Sequence, residues 1–256
     1  MSFTNFFKYF IPVAFFAGLP SLGLADGHGG LDPKDAVGIS FWIISIAMVA
    51  ATAFFFLESL RFSGKWRTSM VVGGLVTLVA AVHYFYMRDV WASGGGSPTV
   101  YRYVDWIVTV PLQMVEFYLI LAACTAVAGG VFWRLFIGSL VMLIAGYLGE
   151  AGMINATIGF VVGIAGWLYI LYEIFAGEAG KVSAADAPAS VQSAFNTMRW
   201  IVTIGWAIYP LGYFLGYLAG GTDDATMNLI YNIADVLNKI GFCLAVWACA
   251  SSESKA

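Results

Sequence analysis

Four polar side chains sit inside one apolar stretch, R-Y-V-D-W-I-V-T-V-P-L-Q-M-V-E-F-Y-L-I-L, which runs from Arg102 to Leu121. They are Arg102, Asp105, Gln113 and Glu116. The stretch is long and apolar enough to cross a bilayer, where a charge near the centre of a helix costs at least ~2.5–3.5 kcal/mol. Spacing gives these charges an order. Arg102, Asp105 and Thr109 follow one another at one-turn intervals, and Asp105 and Glu116 are almost three whole turns apart. Both carboxylates therefore share a face, about 16 Å apart along the axis. Two acids on one stripe, about half a membrane apart, are arranged like two stations on a proton path. The same spacing also suits two structural ion pairs.

A second constellation lies near the C-terminus, in A-T-M-N-L-I-Y-N-I-A-D-V-L-N-K-I-G-F-C. Tyr231, Asp235 and Lys239 recur every four residues and so share a helix face. Lys239 falls mid-stretch, too deep for its ammonium to reach either surface by snorkelling. Either it forms a buried ion pair with Asp235, or its amine is used chemically as a Schiff base, for which buried lysines are suited. In the second case Asp235 and Asp105 serve as counterions and Arg102 balances the second carboxylate. Aromatic residues accompany these charges. Trp106 follows Asp105, and Trp206, Tyr209, Pro210 and Tyr213 cluster on another apolar stretch. Such a set packs a helical bundle, and it also suits a flat conjugated ligand held between ring faces.

The elements that must position these residues are membrane helices. Of 256 residues, 61% are hydrophobic and only 11% charged, whereas a soluble domain carries roughly a quarter charged residues. Apolar runs extend over approximately Val37–Leu60, Ser69–Met87, Arg102–Val127, Phe132–Leu148, Ile154–Phe175, Val191–Leu218 and Ala225–Ala250. Each approaches or exceeds the ~20 residues that cross the hydrocarbon core, and only helices or closed barrels satisfy backbone polar groups in lipid. The alternating ten-residue segments of a barrel are missing. The expected fold is an all-α membrane protein, a seven-transmembrane-helix bundle with lipid around it. A net charge of -3 argues for no nucleic-acid partner. Cys124, Cys243 and Cys249 show neither a disulfide framework nor metal-ligand spacing, so no metal is expected.

Residues 1–25 read differently. Lys8 precedes an apolar run broken by Pro12 and Pro20, and Gly23-Leu24-Ala25 has the small-x-small form of a cleavage site, which predicts a removed signal peptide and a mature domain over residues 26–256. Basic residues sort to one set of connections: Arg61, Lys65, Arg67, Arg134 and Lys181, with Lys255 in the tail. The other set holds Lys34, Arg88, Glu150, Asp223 and Asp224. The positive-inside rule then places the N-terminus outside and the C-terminus inside, in agreement with a cleaved leader. Asp105 falls in the outer half of the third span and Glu116 in the inner half. Gly94 to Pro98 predicts a turn or short hairpin, and Gly177 to Ser190 a mobile inner loop. Pro111 and Pro210 should kink their spans. Gly159 with Gly163, and Gly212 with Gly216 and Gly220, have the small-xxx-small spacing of close helix packing.

Taken together, R-Y-V-D-W-x-x-T-V-P-x-x-x-x-E on the third span, W-x-x-Y-P on the sixth and D-x-x-x-K on the seventh resemble the microbial (type 1) rhodopsins, and among them the proteorhodopsins. The similarity covers all seven spans. It implies all-trans retinal on Lys239 as a protonated Schiff base, Asp105 as primary proton acceptor, Asp235 as second counterion, Arg102 as outer gate and Glu116 as inner proton donor. It places Trp106, Thr109, Trp206, Tyr209 and Tyr231 in the pocket. His83, in V-H-Y on the second span, matches the histidine paired with the acceptor. Taken alone, a single histidine on an apolar span is a satisfied core residue. Gln113 falls where green-absorbing members carry an apolar residue and blue-absorbing members Gln. A side-chain dipole there stabilises the localised ground-state charge more than the excited state, so blue absorption is expected.

The resemblance implies a light-driven outward proton pump in a bacterial inner membrane, assembled as a homo-oligomer of five or six copies. It implies a transporter of protons and not an enzyme. A chloride pump would want a neutral residue in place of Asp105. A sodium pump would carry Asn, Asp and Gln at the positions of Asp105, Thr109 and Glu116. The alternative of another class is a photosensory rhodopsin, which usually lacks the inner carboxylate. No role for Glu150 follows from the sequence.

Overall fold

The computed structural model describes residues 32–94, 96–221 and 223–254. Among them are seven helices of membrane-spanning length and composition: Ala36–Arg61, Gly64–Ala92, Thr99–Cys124, Gly129–Glu150, Ala156–Asp186, Ala189–Leu218 and Asp224–Glu253. No strand occurs among the described residues. The leader expected over residues 1–25 lies outside them.

Local chemistry explains where the helices begin and turn. Asp35, Asn155 and Asp223 cap their helices by accepting backbone N–H groups of Gly38, of Thr157 and Ile158, and of Thr226. The N–H of Thr226 holds the exposed Asp223 carboxyl below its ordinary range. Between the fourth and fifth spans the chain reverses at Gly152, whose φ of 69° suits a residue without a Cβ.

Consecutive spans pack side by side from the first to the sixth, and the seventh packs against both the sixth and the first, closing a ring. The third span is the most buried of the seven. Its inward face therefore carries its acids into the bundle and not into lipid. Outside, residues such as Ile43, Ile137, Ile158 and Leu211 present an exposed apolar surface, as a helical bundle in lipid requires.

Spans six and seven are not uniform α-helices. They contain π-helical turns at Ile201–Gly205, Phe214–Leu218 and Val236–Gly241. A widened turn misaligns the backbone ladder and leaves carbonyls for side chains. Trp167 donates to the Val202 carbonyl at 3.0 Å, Asn238 to that of Gly205 at 3.0 Å, and Gln113 to that of Asn238 at 2.6 Å. Pro210 lies between the first two π turns, whereas Pro111 sits in an unbroken helix.

Two expectations are corrected. Residues 177–190 are not a loop, since Glu178–Asp186 forms a helix with Ala179, Gly180 and Ser183 buried. Arg134 anchors it by pairing with both Glu173 and Glu178, at 2.9 and 2.6 Å. A Cβ added at Gly216 would meet nothing within 4 Å among the described residues, so the small-residue spacing does not mark a close helix contact there. Gly159 does fit the packing role, because a Cβ there would stand 2.8 Å from the Ala145 carbonyl oxygen and from Gly149 Cα. Ser93 and Gly94 lie in a turn that ends the second span, and Gly94 and Gly96 have positive φ.

Candidate functional site

The third span brings Asp105 to the axis of the bundle and the seventh brings Asp235 and Lys239 to meet it. All three are almost fully buried. Lys239 Nζ donates to Asp105 Oδ2 and, at 3.1 Å, to Asp235 Oδ2. The ion-pair geometry read from the four-residue spacing is therefore present, but as a three-residue cluster. Arg102 is also buried, so two cations and two carboxylates cancel in the middle of the bundle. That balance makes their burial tolerable, since a lone charge there would cost several kcal/mol.

The two carboxylates differ in what surrounds them. Asp235 receives the Tyr209 hydroxyl on Oδ1 at 2.5 Å and the Tyr84 hydroxyl on Oδ2 at 2.8 Å, in addition to Lys239. Among the described residues, Asp105 Oδ1 has no hydrogen-bond partner. Thr109 lies directly beneath and donates to the Asp105 backbone carbonyl at 3.0 Å rather than to the carboxylate.

Arg102 does not pair with either aspartate within 4.0 Å. Its Nη2 donates to Asn228 at 2.6 Å and to Asn232 at 3.1 Å, and the guanidinium lies against the rings of Tyr231 and Phe41, 5.1 and 5.7 Å from their centroids. It balances the second carboxylate by proximity and not by contact. His83 is half-buried and its Nδ1 bonds to the Val79 carbonyl at 2.8 Å, with no hydrogen bond to Asp105. It stands close enough for charge on its ring to act on that carboxylate.

A cavity opens beside Lys239, with about 770 Å³ free of atoms, open solvent included. Trp106, Gln113, Trp206, Tyr209 and Pro210 line it, together with Trp167 and Gly163 from the fifth span. Trp106 and Tyr209 meet edge to face at 4.9 Å, and Tyr231 closes the cluster 5.7 Å from Tyr209. Tyr231 faces the neighbouring cavity instead. Farther along the third span, Glu116 is buried, and neither of its carboxyl oxygens has a hydrogen-bond partner among the described residues. Ser69 and Cys243 are its polar neighbours.

Comparison with known proteins decides the family. The family described as bacteriorhodopsin-like protein matches residues 35–253. The chain belongs to the bacteriorhodopsin-like family. It is 54% identical over 231 residues to the green-light absorbing proteorhodopsin of Gamma-proteobacterium EBAC31A08, covering 90% of this chain and 92% of that one. It is 53% identical over 238 residues to the blue-light absorbing proteorhodopsin of Gamma-proteobacterium Hot 75m4, covering 92% and 94%. The crystal structure of the blue light-absorbing proteorhodopsin from Med12 superposes with a TM-score of 0.73 at 51% identity, over 86% of this chain and all of that one.

Membership of the bacteriorhodopsin-like family implies a retinal chromophore, and the residues present fit one. The cavity is walled by aromatic rings, as suits a flat conjugated ligand. A buried primary amine borders it, and that amine faces a carboxylate with an unpartnered oxygen.

Several contributors escaped the sequence reading. Tyr84, Asn228, Asn232, Asn238 and Trp167 each take their place from tertiary contacts between spans. The signal for the asparagines was present, since Asn228, Asn232 and Lys239 lie close to one face of the seventh span.

Proposed function

We propose that this chain is a light-driven proton pump that moves protons outward across a bacterial inner membrane. Lys239 would carry all-trans retinal as a protonated Schiff base between Trp106, Trp206 and Tyr209, with Tyr231 packed behind Trp106 and Tyr209 and Thr109 beside Asp105. Held there, the chromophore supplies absorption of visible light and a light-triggered change of proton affinity at a nitrogen that carries a single proton.

The observation that carries the reading is the asymmetry around Nζ. Asp235 has both oxygens engaged by tyrosine hydroxyls, while Asp105 keeps Oδ1 free. Asp105 is therefore the carboxylate with room to receive a proton, and Asp235 the fixed counter-charge. Glu116 lies on the opposite side of Lys239 along the third span. A carboxyl buried without partners is carried as the neutral acid, so Glu116 holds a proton that it can return to Nζ. Arg102, held by two asparagines on the Asp105 side, sets a positive barrier against backflow. His83 tunes the acceptor through its charge. Gln113 tunes the colour toward blue.

The direction of transport rests on the basic connections at the C-terminal end, which place that end inside. Each proton moved against the membrane potential takes about 2.3 kcal/mol per 100 mV. The family resemblance extends the proposal to a homo-oligomer of five or six copies.

Illumination of cells expressing the chain with added retinal tests the reading directly. External acidification abolished by a protonophore is the expected result. A coloured pigment without any pH response points to a sensor. Lys239→Ala should have no visible band.

A further inference from the structure

One turn of the sixth span marks a change of surface. Before it, the exposed side chains include Gln192, Asn196 and Thr197. From Trp200 onward they are apolar, with Ile204 66% and Leu211 57% exposed. On the fifth span, exposed Leu168 and Tyr172 lead to Phe175, where the helix Ala156–Phe175 ends. A polar surface that turns apolar beside aromatic rings marks the edge of the hydrocarbon. Arg199 stands at that edge. Its guanidinium lies 4.7 Å from the centre of the Phe175 ring, and Trp200 meets the same ring edge to face at 5.6 Å.

The charge of Arg199 is unanswered within the chain. No carboxylate lies within 4.0 Å of it among the described residues. Arg134, at the same end of the bundle, is met by two. Arg199 Nε donates to Asn196 Oδ1 at 2.9 Å, while Nη1 and Nη2 have no hydrogen-bond partner among the described residues. Asn196 and the Phe175 ring thus orient the guanidinium and leave one edge open. Two parallel N–H groups on such an edge match a phosphate. At the rim of the hydrocarbon, phosphate belongs to phospholipid. A headgroup with net negative charge suits the site better than one whose phosphate is neutralised by its own ammonium, and basic residues at this level attract anionic lipid.

We propose that the groove between spans five and six, at the end where they meet over Phe175, binds one anionic phospholipid. Its phosphate rests on Arg199 and its acyl chains lie over Tyr172, Trp200 and Ile204. The site is separate from the proton route but adjoins a wall of the cavity beside Lys239. Val202, three residues beyond Arg199, accepts the Trp167 indole N–H at 3.0 Å, and Trp167 lines that cavity. A headgroup that holds Arg199 over Phe175 therefore braces the contact between spans five and six where it encloses the cavity.

The test is titration of the purified full-length chain in detergent with phosphatidylglycerol, and with phosphatidylcholine as the zwitterionic counterpart, counting bound lipid per chain by native mass spectrometry. Saturable retention of the anionic lipid, undisturbed by an equal concentration of inorganic phosphate, is expected. Arg199→Gln should weaken that retention about fivefold or more, and Arg199→Lys by less. Arg67→Gln, at an exposed basic residue of the same end, should leave it unchanged. On heating, the anionic lipid should raise the midpoint of helix loss in the parent and not in Arg199→Gln. Equal retention by the parent and Arg199→Gln, or equal loss in Arg67→Gln and Arg199→Gln, overturns the site. So does a parent that takes up the two lipids in proportion to their supply, and that arm decides the matter if Arg199→Gln does not fold.

Discussion

Gln113 donates its side-chain amide to the backbone carbonyl of Asn238 at 2.6 Å, one residue before Lys239. The π turn at Val236–Gly241 makes that carbonyl available, and the hydrogen bond fixes the direction of the Gln113 dipole beside the chromophore cavity. On the proposed reading, the colour of the pigment would therefore depend on a backbone irregularity on one span and an amide on another. Gln113→Leu should move the absorption maximum to longer wavelength, with a transition energy lower by about 1–3 kcal/mol, the scale of a lost polar interaction in a buried site. Absorption spectra of the two purified pigments check this. A parent that absorbs in the green, or a variant of unchanged colour, contradicts it.

Transport should fail in acid. Below the acceptor's pKa, Asp105 is already neutral before the flash and has no capacity for a second proton. Loss of its charge also removes ground-state stabilisation from the cation at Nζ, so the visible band should move to longer wavelength over the same pH range. A titration in which colour and initial transport rate are read on one sample should give a common midpoint. Asp105→Asn should show the acid colour at every pH.

Glu116→Gln should spare the first proton transfer and slow the last. A positioned general acid contributes about 10²–10⁴-fold to a proton transfer, so recovery of the starting pigment after a flash should lengthen by at least the lower figure. Loss of the first transfer instead would show that Glu116 serves the ground state and not the return step.

Stability should respond to Gly159 and Gly216 in opposite ways. A methyl group at Gly159 would meet backbone atoms of the fourth span at 2.8 Å, while one at Gly216 meets nothing within 4 Å. Gly159→Ala should cost about 1–3 kcal/mol, as overpacking does. Gly216→Ala should be neutral or stabilising by up to about 1 kcal/mol. Thermal bleaching half-times of the two variants make the comparison.

The residues that carry chemistry were legible because a charge in an apolar run has few reasons to be there. Asp105, Glu116 and Lys239 could be placed on their faces by counting residues, and the structure puts each face inward. Partners were harder to read. Nothing in the chain links Tyr84 to Asp235, which lie 151 residues apart, or sets Arg102 on asparagines in place of carboxylates. The helix Glu178–Asp186 was hidden by Gly177, Gly180 and Ser183, which suggest a loop. Its alanines favour helix, and Gly180 is needed for contact, since a Cβ there would meet the Phe175 carbonyl oxygen at 2.7 Å. The π turns had no sequence mark beyond Pro210.

Tyr84 and Tyr209 grip Asp235 from two different spans, so one anion beside Lys239 is anchored while the other is free to be discharged. Across the proposed cycle the interior would thus never expose a naked cation to hydrocarbon, because a stationary negative charge would always remain at its side. The bundle can discharge and recharge its moving partner without rebuilding its own electrical neutrality each time.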